Sequence, residues 1–86
     1  DAKNEIDIAA LDPEGKNMIL GECKYWKEPV GLNVLHALEA KACDVAWERD
    51  RRKVWYVLFS ISGFSDELCA HAATRDDLLL IDDRGR

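Results

Sequence analysis

The chain has 86 residues, and its 12 Lys and Arg against 17 Asp and Glu give a formal net charge of −5. That length suits one small domain with a thin core. The acidic balance argues against a nonspecific nucleic-acid coat, because such binding leans on Lys and Arg contacts to phosphate. No apolar run approaches the ~20 residues of a membrane span, and no signal peptide is visible. The three cysteines, Cys23, Cys43 and Cys69, are odd in number and widely spaced, with no Cys-x-x-Cys and no Cys/His cluster. Structural zinc is therefore not expected, and a reducing cytoplasm is. The chain starts without Met and leads almost directly into a strand, so we expect a piece of a longer protein.

Residues 4–11 and 17–25 read as two strands of a hairpin. Period-two alternation puts Ile6 and Ile8 on one face and Glu5 and Asp7 on the other. The second strand is apolar through Met18, Ile19 and Leu20, then sets Glu22 and Lys24 on one face and Cys23 on the other, toward the core. Between them Asp12-Pro13-Glu14-Gly15-Lys16 supplies the turn, with Gly15 and Pro13 as its natural residues. If Asp12 pairs with Asn17 across an even loop, Asp7 lies opposite Glu22 and Glu5 opposite Lys24. Directly opposed side chains have Cβ atoms about 4.5–5.5 Å apart, close enough for two carboxylates to hold one divalent cation. A three-residue loop with a glycine bulge is the competing register; it would turn Asp7 and Glu22 to opposite faces.

Two opposed acids repel unless a positive charge lies between them. A hard cation such as Mg²⁺ or Mn²⁺ accepts carboxylate and carbonyl oxygens and keeps several waters. Lys24, one step along the same face, is placed to orient a bound water or to steady charge on a phosphate. Together these groups suit metal-assisted phosphodiester hydrolysis. The bland reading of Glu-x-Lys on a strand is a solvated charge pair, but acids are depleted from strands, which makes Asp7 between two isoleucines less ordinary.

Tyr25 to Pro29 forms a connector whose aromatic rings either stack on a base or sugar or cap the core. Gly31 to about Asp50 reads as the main helix, with Val34, Leu35, Leu38, Ala42, Val45 and Ala46 as its apolar stripe. Glu39, Lys41 and Asp44 fall on its flanks, and His36 is read as exposed. The charged run Glu48 to Lys53 is either a solvated helix end or a phosphate contact. Lys53 to Ser60 is continuously apolar, as expected of a central strand covered on both faces. Gly63 marks a turn and Ser65 caps a short helix, with Asp66 and Glu67 in its first turn and Leu68, Cys69, Ala72 and Ala73 along it. His71 is expected to be exposed. Leu78 to Ile81 is read as a short buried strand, parallel to its predecessor, and Asp82-Asp83 as solvated. The fold class is thus α/β, a mixed sheet in the order ββαβαβ flanked by helices.

Glu5-Ile6-Asp7-Ile8 followed by Gly21-Glu22-Cys23-Lys24-Tyr25 resembles the PD-(D/E)XK nuclease superfamily, restriction-endonuclease-like and including Mrr-type enzymes and Holliday-junction resolvases. The nearest likeness is to the nuclease-like C-terminal domain of archaeal P-loop ATPases. Val30-Gly31 before a helix, Ser60 to Ser65 after a strand, and Leu79-Leu80-Ile81-Asp82 resemble the same layout, so the likeness covers most of residues 1–86. It implies a single domain lacking its N-terminal helix. It also implies Asp7 and Glu22 as metal ligands, Cys23 as a backbone-carbonyl ligand, Lys24 as the catalytic lysine and Glu5 as an accessory acid. Three features depart from the pattern: the opening helix with its acid is not in the chain, no Pro precedes Asp7, and no Gln falls on the helix after the hairpin.

The resemblance implies a Mg²⁺- or Mn²⁺-dependent nuclease acting on nucleic acid, DNA before RNA. The alternative is a catalytically inactive DNA-binding or regulatory appendage of a P-loop ATPase. No Gly-Lys-Ser/Thr phosphate loop occurs, so the segment is not itself an ATPase core. A third reading is an assembly fragment that forms a homodimer through a bare sheet edge.

Overall fold

The computed structural model describes residues 8–14, 16–45 and 52–83. Its elements are β1 (Ile8–Asp12), β2 (Asn17–Lys24), α1 (Leu32–Asp44), β3 (Lys53–Ser60), α2 (Asp66–Ala72) and β4 (Leu78–Asp82). This is an α/β arrangement in which the four strands form one mixed sheet, in the order β1-β2-β3-β4. β1 is antiparallel to β2, whereas β2–β3 and β3–β4 are parallel.

The hairpin has the even register. Asp12 pairs with Asn17, and the pairing runs without a slip to Ile8 opposite Gly21. The turn residue in the left-handed region is Lys16, at φ 58°; Gly15 lies outside the described residues. Asn17 fastens the base of the hairpin, donating to the Asp12 carboxylate at 3.0 Å while its carbonyl oxygen accepts from the Trp55 indole at 3.0 Å. At the other end Gly21 allows a close approach. A Cβ there would stand 3.1 Å from the Val57 carbonyl oxygen and 3.2 Å from the Ile8 side chain.

Both parallel connections step the same way across the sheet, β2 to β3 to β4. Right-handed crossovers therefore lay both helices on the same face. That face carries Met18, Leu20, Tyr56, Leu58 and Leu78, which join Val34, Leu35, Leu38 and Ala42 of α1 and Leu68 of α2 in one core. The opposite face keeps Trp55, Val57 and Phe59 of β3 half-buried, with Ile19 and Leu79 exposed. Among the described residues, then, β3 is central but covered by helix on one face, not on both. β4 is likewise less buried than its apolar sequence suggests, since it sits at the edge of the described sheet; only Leu78 is fully buried.

α1 stops at Asp44, short of the expected Asp50, and Val45 is extended at ψ 122°. Arg52 explains the stop. Its guanidinium donates to the Ala42 carbonyl at 2.7 Å and the Val45 carbonyl at 2.8 Å, satisfying acceptors that a longer helix would have used internally. Of the charged run Glu48 to Lys53, residues 48–51 lie outside the described residues, and Arg52 and Lys53 are within them. Arg52 caps a helix, and Lys53 lies over the Trp55 ring at 4.8 Å and 3.7 Å from Asp76.

α2 begins as its sequence predicts, with the Ser65 hydroxyl accepting from the Leu68 amide at 3.1 Å. Cys69 and Ala73 face solvent, not the core, while His71 is half-buried and 3.1 Å from the Arg75 guanidinium. Arg75 ties the elements together. It pairs with Asp77 through two bonds of 2.8 and 2.9 Å, reaches Glu39 of α1 at 2.8 Å and lies over the Tyr56 ring. These hydrogen bonds raise the Arg75 pKa and hold the Asp77 carboxyl below the usual carboxylate range, while burial pushes the Tyr56 phenol up. Among the described residues no helix is long and apolar enough to cross a membrane.

Candidate functional site

Alternation along β2 sends Met18, Leu20, Glu22 and Lys24 to the helix-covered face. The first two fill the core. Glu22 follows in the same row and is drawn under α1 with 5% exposure. A carboxylate is rarely so buried without a partner of opposite charge. Glu22 has two such partners. The Lys41 ammonium donates to Oε1 at 2.8 Å, and the Lys24 ammonium stands 3.1 Å from Oε2.

Lys41 comes from α1. It lies seven positions after Val34 and three after Leu38, on the stripe that packs onto the sheet, and its side chain is 14% exposed. Its stem runs along the core while the ammonium reaches Glu22. Lys24 is more open, at 28%, and its ammonium lies 5.0 Å from the centroid of the Trp26 ring, a cation–π distance. Trp26 and Tyr25 are themselves 41% and 74% exposed, so they do not cap the core.

Lys24 ends β2 in register with Ser60 at the end of β3 and Asp82 at the end of β4. Ser60 is 3% exposed and its hydroxyl accepts from the Ser62 amide at 3.3 Å. Asp82 is half-buried, not fully solvated. This row is the carboxyl edge of the parallel strands, where open α/β sheets take up their ligands. A cleft of about 160 Å³ opens there, lined in part by Cys23, Lys24, Tyr25, Ser60 and Asp82.

Comparison with known proteins yielded no matching family model, curated protein or solved structure.

Of the residues the sequence singles out, Glu22 and Lys24 come together and Cys23 sits between them. The Cys23 side chain does not face the helix-covered core; alternation turns it to the opposite face, where it is half-buried. Asp7 and Glu5 lie outside the described residues. The register up to Ile8 opposite Gly21 is the even one that an Asp7–Glu22 pairing requires. Two described residues of the site were not anticipated. Lys41 had a legible signal, since its spacing from Val34 and Leu38 belongs to the buried stripe, but its charge put it on the flank. Ser60 had none beyond its position at a strand end.

The donor chemistry suits a hard cation in kind, because carboxylate and carbonyl oxygens are what Mg²⁺ and Mn²⁺ accept. The charge suits it less. Both oxygens of Glu22 already face ammonium groups, and among the described residues no group of three His, Cys, Asp or Glu side chains converges.

Proposed function

We propose that the chain is a nuclease-type domain of the PD-(D/E)XK, restriction-endonuclease-like class, hydrolysing phosphodiester bonds of nucleic acid, with DNA the preferred substrate. The observation that carries this reading is the Glu22–Lys24 pair, its carboxylate buried and its ammonium partly exposed, at the carboxyl end of β2 beside a hairpin in the even register. Asp7 and Glu22, with the Cys23 carbonyl, would hold Mg²⁺ or Mn²⁺, and Glu5 would assist. Such an ion lowers the pKa of a bound water and neutralises charge at the phosphate. Lys24, held between Glu22 and Trp26, is the group that meets the scissile phosphate or orients the attacking water. Its partial exposure lets an anion reach it, and the buried carboxylate behind it fixes its direction. The exposed Tyr25 and Trp26 rings offer stacking surfaces for a base. Cys23, Cys43 and Cys69 form no disulfide, which accords with a reducing cytoplasm.

The expected outcome is that Asp7→Asn, Glu22→Gln and Lys24→Met each lower Mn²⁺- or Mg²⁺-dependent DNA cleavage at least about a hundredfold. Cleavage that survives all three substitutions would remove the assignment.

A second reading is favoured by the pairing of Glu22 with two lysines. A carboxylate neutralised in this way needs no metal, and the domain would then serve as a non-catalytic DNA-binding or regulatory appendage of a P-loop ATPase, or assemble with a second copy. Partner binding without any divalent-cation binding in calorimetry would select it.

A further inference from the structure

We infer that the sheet face opposite the helices is a self-association surface, and that a second copy of this chain covers it in a weak two-fold dimer, packed sheet on sheet. The inference is independent of the nuclease reading and of pairing through a sheet edge.

The strand sequences call for a cover that this face does not have. Val54 to Phe59 of β3 and Leu78 to Ile81 of β4 are apolar at odd and even positions alike. Strands of that kind ordinarily lie between two layers. Here α1 and α2 share one face, and among the described residues no helix lies on the other. Ile19 of β2 and Leu79 of β4 are exposed there, Leu79 at 55%. They flank the half-buried Trp55 and Val57 of β3, with Ile19 beside Trp55 and Leu79 beside Val57 in the register of the sheet. A groove of about 510 Å³ is lined in part by these four side chains.

Shape, charge and area point to a second copy as the occupant. Projection and recess lie on the same face, Leu79 as the projection and the groove over Trp55 as the recess. A two-fold interface requires this self-complementarity, because each contact occurs twice with the roles exchanged. The rim has it in charge as well. At the amino end of β3 the exposed Lys53 and Asp76 side chains carry opposite signs 3.7 Å apart. A two-fold axis running along β3 brings Lys53 of each copy to Asp76 of the other and sets Leu79 against Trp55. The same axis leaves the strands of the two sheets nearly aligned, an ordinary way for sheets to pack at about 10 Å. The apolar face offers roughly 400 Å² per copy, a size at which surface patches are often functional. With its rim the pair buries on the order of 1,000 Å², the low end of specific interfaces, so the dissociation constant is on the order of 10 µM or above.

The test is sedimentation equilibrium of the full chain from about 1 µM to about 1 mM, a range that brackets such an affinity. Wild type is compared with Leu79→Asp and Ile19→Lys, two exposed positions whose substitution leaves the core intact. Backbone amide shifts of the wild type are followed by NMR over the same range. The inference expects a monomer–dimer equilibrium that each substitution weakens at least about tenfold, as for a residue central to an interface. It also expects the concentration-dependent shifts to centre on Ile19, Trp55, Val57 and Leu79. A monomer at the highest concentration overturns it. So does a dimer that both substitutions leave unaltered, or one whose shifts are confined to the helices or to the outer edge of β4. The shift map needs no substitution, so a variant that fails to fold does not decide the matter.

Discussion

The Lys41 ammonium of α1 donates to Glu22 Oε1 of β2 at 2.8 Å, across 19 positions of sequence. Both side chains are largely withdrawn from water, at 14% and 7% exposure. The contact fixes how α1 lies over the carboxyl half of β2, and it makes the acid of the Glu-x-Lys motif part of the interior. Breaking such a pair from one side leaves a buried charge without compensation, which costs more than the pair itself contributes.

A double-mutant cycle exposes that asymmetry. Glu22→Ala is expected to destabilise the fold by about 3 kcal/mol, because the largely buried Lys41 ammonium loses its carboxylate. The Glu22→Ala/Lys41→Met double variant should recover part of the loss, giving a coupling of about 1–3 kcal/mol. Urea unfolding of the four proteins measures it, and additive single effects would contradict the pairing.

Arg75 predicts a pH dependence at the far end of the sheet. Its hydrogen bonds depress the Asp77 carboxyl, so Asp77 binds a proton more weakly in the folded chain than in the unfolded one. The stabilisation is then fully present above the ordinary carboxylate pKa, about 4, and is lost as pH falls through the lower folded value. Arg75→Met should cost about 2 kcal/mol near neutrality and should flatten the fall in stability below about pH 4. Chemical unfolding from pH 7 to pH 2.5 reads both effects.

Arg52 carries a narrower prediction. It occupies the Ala42 and Val45 carbonyls at the end of α1. Arg52→Ala should destabilise the fold by about 1–2 kcal/mol and speed amide exchange in the last turn of α1 with little change in β4. If the substitution weakens DNA binding and leaves stability unaltered, Arg52 is a phosphate contact in solution and not a helix cap.

Local pattern determined much of this protein. Alternation about Ile8 and along Met18 to Lys24 assigns the hairpin and the face that Glu22 and Lys24 share. The even span from Asp12 to Asn17 makes the register one of two choices, and Ser65 with Asp66 and Glu67 announces α2. These features are legible because each depends on residues a few positions apart, where backbone period and capping act. The side on which α2 joins α1, the stop at Val45 and the partner of Glu22 were decided by tertiary structure. Both helices share a face because two right-handed crossovers step in the same direction, leaving Cys23, Trp55 and Phe59 on the face opposite the helices. α1 ends at Asp44 because the Arg52 guanidinium takes its last carbonyls from beyond the helix. Lys41 turns inward against its charge because a buried carboxylate waits there, on a strand 19 positions away. Electrostatic compensation in an interior acts through space, and no window of neighbouring residues contains it.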